Sequence, residues 1–196
     1  MLDSVEVYDP ESNSWEELSE GLNTPTMGVG ASSYKGKLWV CGGMVQDMNG
    51  KICVVKEVQC YDPKIKEWSY GVKQLPCPRS FATAVRCKNL LFLVGGTSYK
   101  NAEWDSEEMK SLCDVICYDD ARRTWCSSTP LPYPRHFVGA AVIGKTFYVL
   151  GGLTSFQRDF IDDVIVHDES NGTWHECAPL PIPLCGFSAT SVPNVI

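Results

Sequence analysis

The sequence predicts an all-β fold assembled from repeated blades of four antiparallel strands, and three recurrences carry that expectation. A Trp returns about every 50 residues, a period that marks a repeat architecture. These are Trp15, Trp68, Trp125 and Trp174, each placed seven residues after a ring residue followed by Asp: Tyr8-Asp9, Tyr61-Asp62, Tyr118-Asp119 and His167-Asp168. Between them, Gly pairs close apolar runs: Gly42-Gly43 after Cys41, Gly95-Gly96 after Val94 and Gly151-Gly152 after Leu150. The third recurrence is a proline crossing after each Trp: Leu75-Pro76-Cys77-Pro78, Leu131-Pro132-Tyr133-Pro134 and Leu180-Pro181-Ile182-Pro183, with Leu22-Asn23-Thr24-Pro25 as a degenerate copy. Paired prolines fix φ and remove donors, so strand pairing stops there and the chain passes to the next sheet.

The strands follow in order. Leu38-Trp39-Val40-Cys41, Leu90-Leu91-Phe92-Leu93-Val94 and Phe147-Tyr148-Val149-Leu150 are short continuous apolar runs, as expected of strands buried on both faces. Each is preceded by a small-residue segment, 28–34, 81–87 and 137–143, across a tight turn at Lys35-Gly36, Lys88-Asn89 and Gly144-Lys145. The Tyr-Asp segments Val5-Glu6-Val7-Tyr8 and Val58-Gln59-Cys60-Tyr61 read as half-exposed strands, and each Trp segment supplies a fourth.

The stretch from each Trp to the next Gly pair keeps nearly constant length, whereas the stretch from Gly pair to Trp varies by several residues. A packed core does not change length freely and a surface loop does, so the segment after each Gly pair is the expected working loop. The repeat motif itself is structural. Gly pairs permit positive φ and close backbone approach, the Trp buries a large area against a neighbouring blade, and the Asp caps a turn.

Taken together, the Gly pairs, the Tyr-Asp element, the Trp and the Pro-Arg steps resemble Kelch repeats over essentially the whole chain. The resemblance implies a partial Kelch β-propeller: a partial blade over 1–25, whole repeats over 26–72, 79–129 and 135–178, and the start of a further blade or a ring-closing strand over 179–196. The style resembles the propellers of BTB-Kelch proteins, which capture substrates for a cullin-RING ubiquitin ligase. Such rings have about six blades, so the chain is expected to be a fragment or short isoform. Alone, it is expected to be marginal or to associate. A cullin contact is implied only through a BTB region that these residues do not encode. The alternative reading is a Kelch protein that binds actin or another cytoskeletal protein.

Composition narrows the partner. The chain of 196 residues is 44% hydrophobic with a net charge of −7, which argues for a globular domain and against nucleic acid or an anionic membrane as partner. No run reaches the length of a membrane span. Ten cysteines without a Cys-x-x-Cys pair suit a reducing, cytoplasmic setting, with no metal expected. Asn171-Gly172-Thr173 is a glycosylation sequon inside a turn and is expected to be idle. Only three histidines occur, His136, His167 and His175, with no Ser, Cys or carboxylate at diagnostic spacing. No Gly-rich phosphate loop is present. No cofactor and no catalysis are expected.

Protein binding has better candidates. Arg79 and Arg135 match the family's Pro-Arg position, while Thr26 and Leu184 depart from it. Two readings of these arginines stay open: pairing with an acidic peptide, or bonding to carbonyls at the crossing. The longest working loop, 97–111, carries Tyr99 and Trp104, the latter outside the Trp period among acidic residues that favour a basic ligand. Tyr133, His136, Phe156 and Arg158 complete the candidates on the same expected face. The sign of the partner's charge stays open at this point.

Overall fold

A computed structural model describes residues 1–70, 72–99, 109–156, 159–168 and 170–192. Three four-stranded antiparallel sheets follow one another along the chain. The first runs Gly30–Tyr34, Lys37–Cys41, Val58–Asp62 and Glu67–Ser69. The second runs Thr83–Cys87, Leu90–Val94, Val115–Asp119 and Thr124–Ser127, and the third Gly139–Ile143, Thr146–Leu150, Val164–Asp168 and Thr173–Glu176. Ahead of them, Glu6–Asp9 pairs with Ser14–Glu17 as a two-stranded hairpin. The fold is all-β and is a partial propeller. Residues 177–192 form no strand; the segment 186–192, which reads as a first strand, lies against the third sheet through Gly186 and Phe187. A strand needs a ladder partner, and none follows it among the described residues.

The register explains the seven-residue spacing. Tyr8 faces Trp15, Tyr61 faces Trp68, Tyr118 faces Trp125 and His167 faces Trp174 across the outer hairpins. The ring centroids lie 5.2, 5.3, 5.4 and 5.0 Å apart. The Asp that follows each ring residue accepts the N–H two positions on, at Glu11, Lys64, Ala121 and Ser170. That Asx turn reverses the chain and sets the pairing.

Blades are joined through side chains that reach backward. The indole Nε1 of Trp68, Trp125 and Trp174 donates to the carbonyls of Glu20, Lys73 and Thr129 in the preceding crossing. Apolar residues of consecutive sheets share cores: Trp39, Cys60 and Trp125 lie in one, Phe92, Val94 and Phe147 in the next. The half-exposed alternation expected of the Tyr-Asp strands is absent. Val58–Tyr61 is buried throughout, and Glu6–Asp9 is exposed throughout. Val58–Tyr61 is covered on both faces by neighbouring blades; its one polar side chain, Gln59, bonds to the N–H and carbonyl of Thr24. No blade covers Glu6–Asp9 from the other side among the described residues.

The first strands of successive sheets lie side by side. Gly30, Ala31, Ala82, Ala84, Val138 and Ala140 line a channel of about 280 Å³ between them, and their small side chains let the strands approach.

Candidate functional site

The crossings and the variable loops meet at one end of the blades. Each Gly pair binds the next crossing: the N–H groups of Gly43, Gly96 and Gly152 donate to the carbonyls of Arg79, Arg135 and Leu184. The first Gly of each pair has positive φ, and a Cβ there would stand 2.3–2.5 Å from the same carbonyl. No other residue fits. The described ends of the variable loops are paired. They open as short ribbons, Met44–Gln46 with Ile52–Val54, Thr97–Ser98 with Lys110–Ser111, and Leu153–Thr154 with Asp159–Phe160.

Arg79 and Arg135 are not partner-facing, which corrects the binding role expected of them. They are 1% and 0% exposed. Arg79 donates to the carbonyl of Gly95 and pairs with Asp114 at 3.2 Å; Arg135 donates to that of Gly151 and pairs with Asp163 at 3.3 Å. Each arginine thus holds one blade's Gly pair by its backbone and the next blade's by its guanidinium. Burial pushes the Arg135 guanidinium down from its ordinary pKa, against the pull of Asp163. Five donors in a rigid fork suit this joint better than a lysine would.

His136 and Tyr99 are corrected likewise, because both are buried. His136 Nδ1 sits 2.9 Å from Ser111 Oγ, and Ser111 and Ser155 exchange reciprocal bonds of 2.8 Å between neighbouring ribbons. Burial lowers the His136 pKa to about 4, so at neutral pH the ring is uncharged and too weakly basic to activate Ser111. The trio is a latch between ribbons. Tyr99 packs with Met44 and Val54 beneath the neighbouring ribbon.

The sequence reading missed the mouth of the channel. Phe81 N–H donates to the Gly28 carbonyl, Phe137 N–H to that of Phe81, and Gly186 N–H to that of Phe137, a belt running from blade to blade. All four belt residues have positive φ: 65° at Gly28, 55° at Phe81, 54° at Phe137 and 67° at Gly186. For Phe this conformation costs about 1–2 kcal/mol per residue. The two rings stand 4.2 Å apart, tilted, with the His136 ring beside Phe137 at 5.1 Å. A signal existed: one repeat position reads Gly28, Phe81, Phe137, Gly186, and glycine there marks a left-handed backbone.

Two expected residues are open to a partner. Tyr133 is 60% and Phe156 84% exposed, and both line a cleft of about 320 Å³ on the third sheet, with Arg135 in its wall. Trp104 and Arg158 lie outside the described residues. Among the described residues no group of three His, Cys, Asp or Glu side chains is placed to hold a metal ion, and no helix is long and apolar enough to cross a membrane.

Four-stranded blades joined at a small-residue hub define a β-propeller. A solved structure described as "Structure of YjhT" superposes with a TM-score of 0.73 at 18% identity, over 87% of this chain and 57% of that one. The family follows from the sequence: residues 1–196 match the KLHDC2/KLHL20/DRC7 Kelch-repeats domain, and the chain belongs to the Kelch-repeat family. Alpha-scruin of Limulus polyphemus is 31% identical over 98% of the chain and 21% of its own length. Human Kelch repeat and BTB domain-containing protein 3 is 29% identical over 74% of the chain and 24% of its own length. Mouse Kelch-like protein 35 is 29% identical over 77% and 23%. The chain therefore spans less than a quarter of the length of these curated relatives.

Proposed function

We propose that the chain is a protein-recognition module, and that the channel mouth with its surrounding crossings and ribbons is the recognition face. The observation that carries this reading is the Phe81–Phe137 stack. Two aromatic rings stand half-buried at the mouth on a backbone that resists them. Their mutual contact is worth about 0.5–1.5 kcal/mol beyond the area the rings bury, against a conformational cost of about 1–2 kcal/mol each, and Phe81 also packs against Met44, Val54 and Tyr99. The belt itself does not call for Phe, since glycine serves at its first and last positions. Exposed aromatic area at a rigid rim is what an inserted side chain of a partner requires.

Within that reading we place the chain as the substrate-recognition propeller of a cytoplasmic BTB-Kelch adaptor for a cullin-RING ubiquitin ligase. Support comes from the Kelch family match and from the BTB-containing relative. The test is affinity purification of the protein from cells, in its endogenous form. Cullin in the eluate, together with a second protein lost on the double change Phe81→Gly, Phe137→Gly, is the expected result. Cosedimentation of the purified chain with actin filaments, without cullin in cells, overturns the adaptor reading in favour of a cytoskeletal one.

A further inference from the structure

The cleft on the third sheet has a chemistry of its own. Its walls carry Tyr133 from the crossing, and Phe156 and Phe160 from the ribbon, all more than half exposed. Its rim carries Asp159, Asp162 and Asp163. Asp163 is committed to Arg135 at 3.3 Å, which cancels the one buried cation of the wall. Asp159 accepts the Phe160 N–H, and among the described residues neither Asp159 nor Asp162 forms an ion pair. The cleft thus presents exposed aromatic side chains and, among the described residues, two carboxylates outside any ion pair, in a chain of net charge −7.

We infer that this cleft receives a lysine or arginine side chain from an extended, basic segment of a partner protein. The cation lies over the exposed ring faces, and Asp159 and Asp162 neutralise it. An acidic segment is disfavoured, because both crossing arginines are buried and spent on blade carbonyls and aspartates. The inference rests on the recognition-face reading and adds the sign of the partner's charge.

The experiment is fluorescence anisotropy on the full chain with two labelled peptides, one alternating Gly with Arg and the other Gly with Glu. The Arg peptide binds, and its affinity falls about tenfold or more in Asp159→Asn/Asp162→Asn. Tyr133→Ala or Phe156→Ala costs several-fold, while Asp120→Asn, a remote exposed carboxylate, changes nothing. All five positions are exposed or partly exposed, and circular dichroism verifies that each variant is folded. Equal or better binding of the Glu peptide overturns the inference. So does Arg-peptide binding that Asp120→Asn weakens as much as the cleft variants do, which marks attraction to the overall charge alone. Absence of binding by either peptide also overturns it. The wider recognition reading is judged separately, by loss of the cellular partner in Phe81→Gly, Phe137→Gly.

Discussion

Two copies of one motif meet opposite fates in this molecule. Tyr8 faces Trp15 and Tyr118 faces Trp125 in the same register, with nearly the same ring separation. Yet Trp15 is 67% exposed and Trp125 only 7%. The motif encodes a hairpin locally; the Trp is buried by the blade beside it. Trp125 lies in a core shared with Trp39 and Cys60 of the preceding sheet, and its indole reaches the Lys73 carbonyl. The described residues place no such neighbour over Trp15. In a repeat protein, stability resides in interfaces between units as much as in the units.

The comparison can be broken most directly at the two tryptophans. Trp125→Ala is expected to cost about 3–5 kcal/mol and Trp15→Ala under about 1 kcal/mol, read from urea midpoints. Equal losses would mean that the motif stabilises its own hairpin and the neighbour contributes little.

Burial by neighbours has a titratable consequence at the hub. His136 has its folded pKa lowered to about 4 by burial, against an ordinary value near 6.5. The unfolded chain therefore binds the proton first, and stability contributed by the neutral ring is present above pH 6.5 and lost as pH falls toward 4. The loss attributable to this group is about 3 kcal/mol. Urea unfolding of the native chain and of His136→Gln between pH 7 and 4 checks it: the variant's acid slope should be shallower. Identical slopes would remove His136 from the account.

Smaller effects sharpen the same contrast. Arg135→Ala is expected to lose about 2 kcal/mol, since the Gly151 carbonyl loses a buried donor while the part-exposed Asp163 rehydrates. Thermal unfolding reads this, and no change would return the arginine to a binding role. Phe81→Gly is expected to lose about 1–2 kcal/mol, because relief of the left-handed backbone offsets only part of the lost ring contacts with Phe137 and with the Met44, Val54 and Tyr99 cluster. A large destabilisation there would make the stack structural and weaken its reading as a recognition surface.

Most of the fold was legible because its punctuation is local. Tyr118, Asp119 and Trp125 define a hairpin through a turn and a register, and Gly95-Gly96 marks a backbone that admits no side chain. What escaped was set by neighbours distant in sequence. Arg79 reads equally as anchor or ligand contact until Gly95 and Asp114 are seen beside it. Val58–Tyr61 reads as half-exposed because no pattern within it announces cover on both faces. Tyr99 reads as a loop residue because Met44 and Val54, which bury it, belong to another ribbon. The strained Phe81 and Phe137 hid in segments that look like ordinary strands, and only alignment with Gly28 and Gly186 exposes them. Tyr133 and Phe156, predicted on the working face, do meet at one cleft.

The measurement that bears most directly on the recognition face is site-specific photocrosslinking in cells, with a benzophenone side chain at Phe81, Tyr133 or Trp15. Trp15 and Tyr133 are 67% and 60% exposed and Phe81 is only partly exposed, so exposure alone would favour Trp15 over Phe81. The account predicts that Phe81 and Tyr133 capture the same partner and Trp15 does not. Capture of that partner through Trp15, with Phe81 and Tyr133 silent, would place the working surface on the outer hairpin and contradict it.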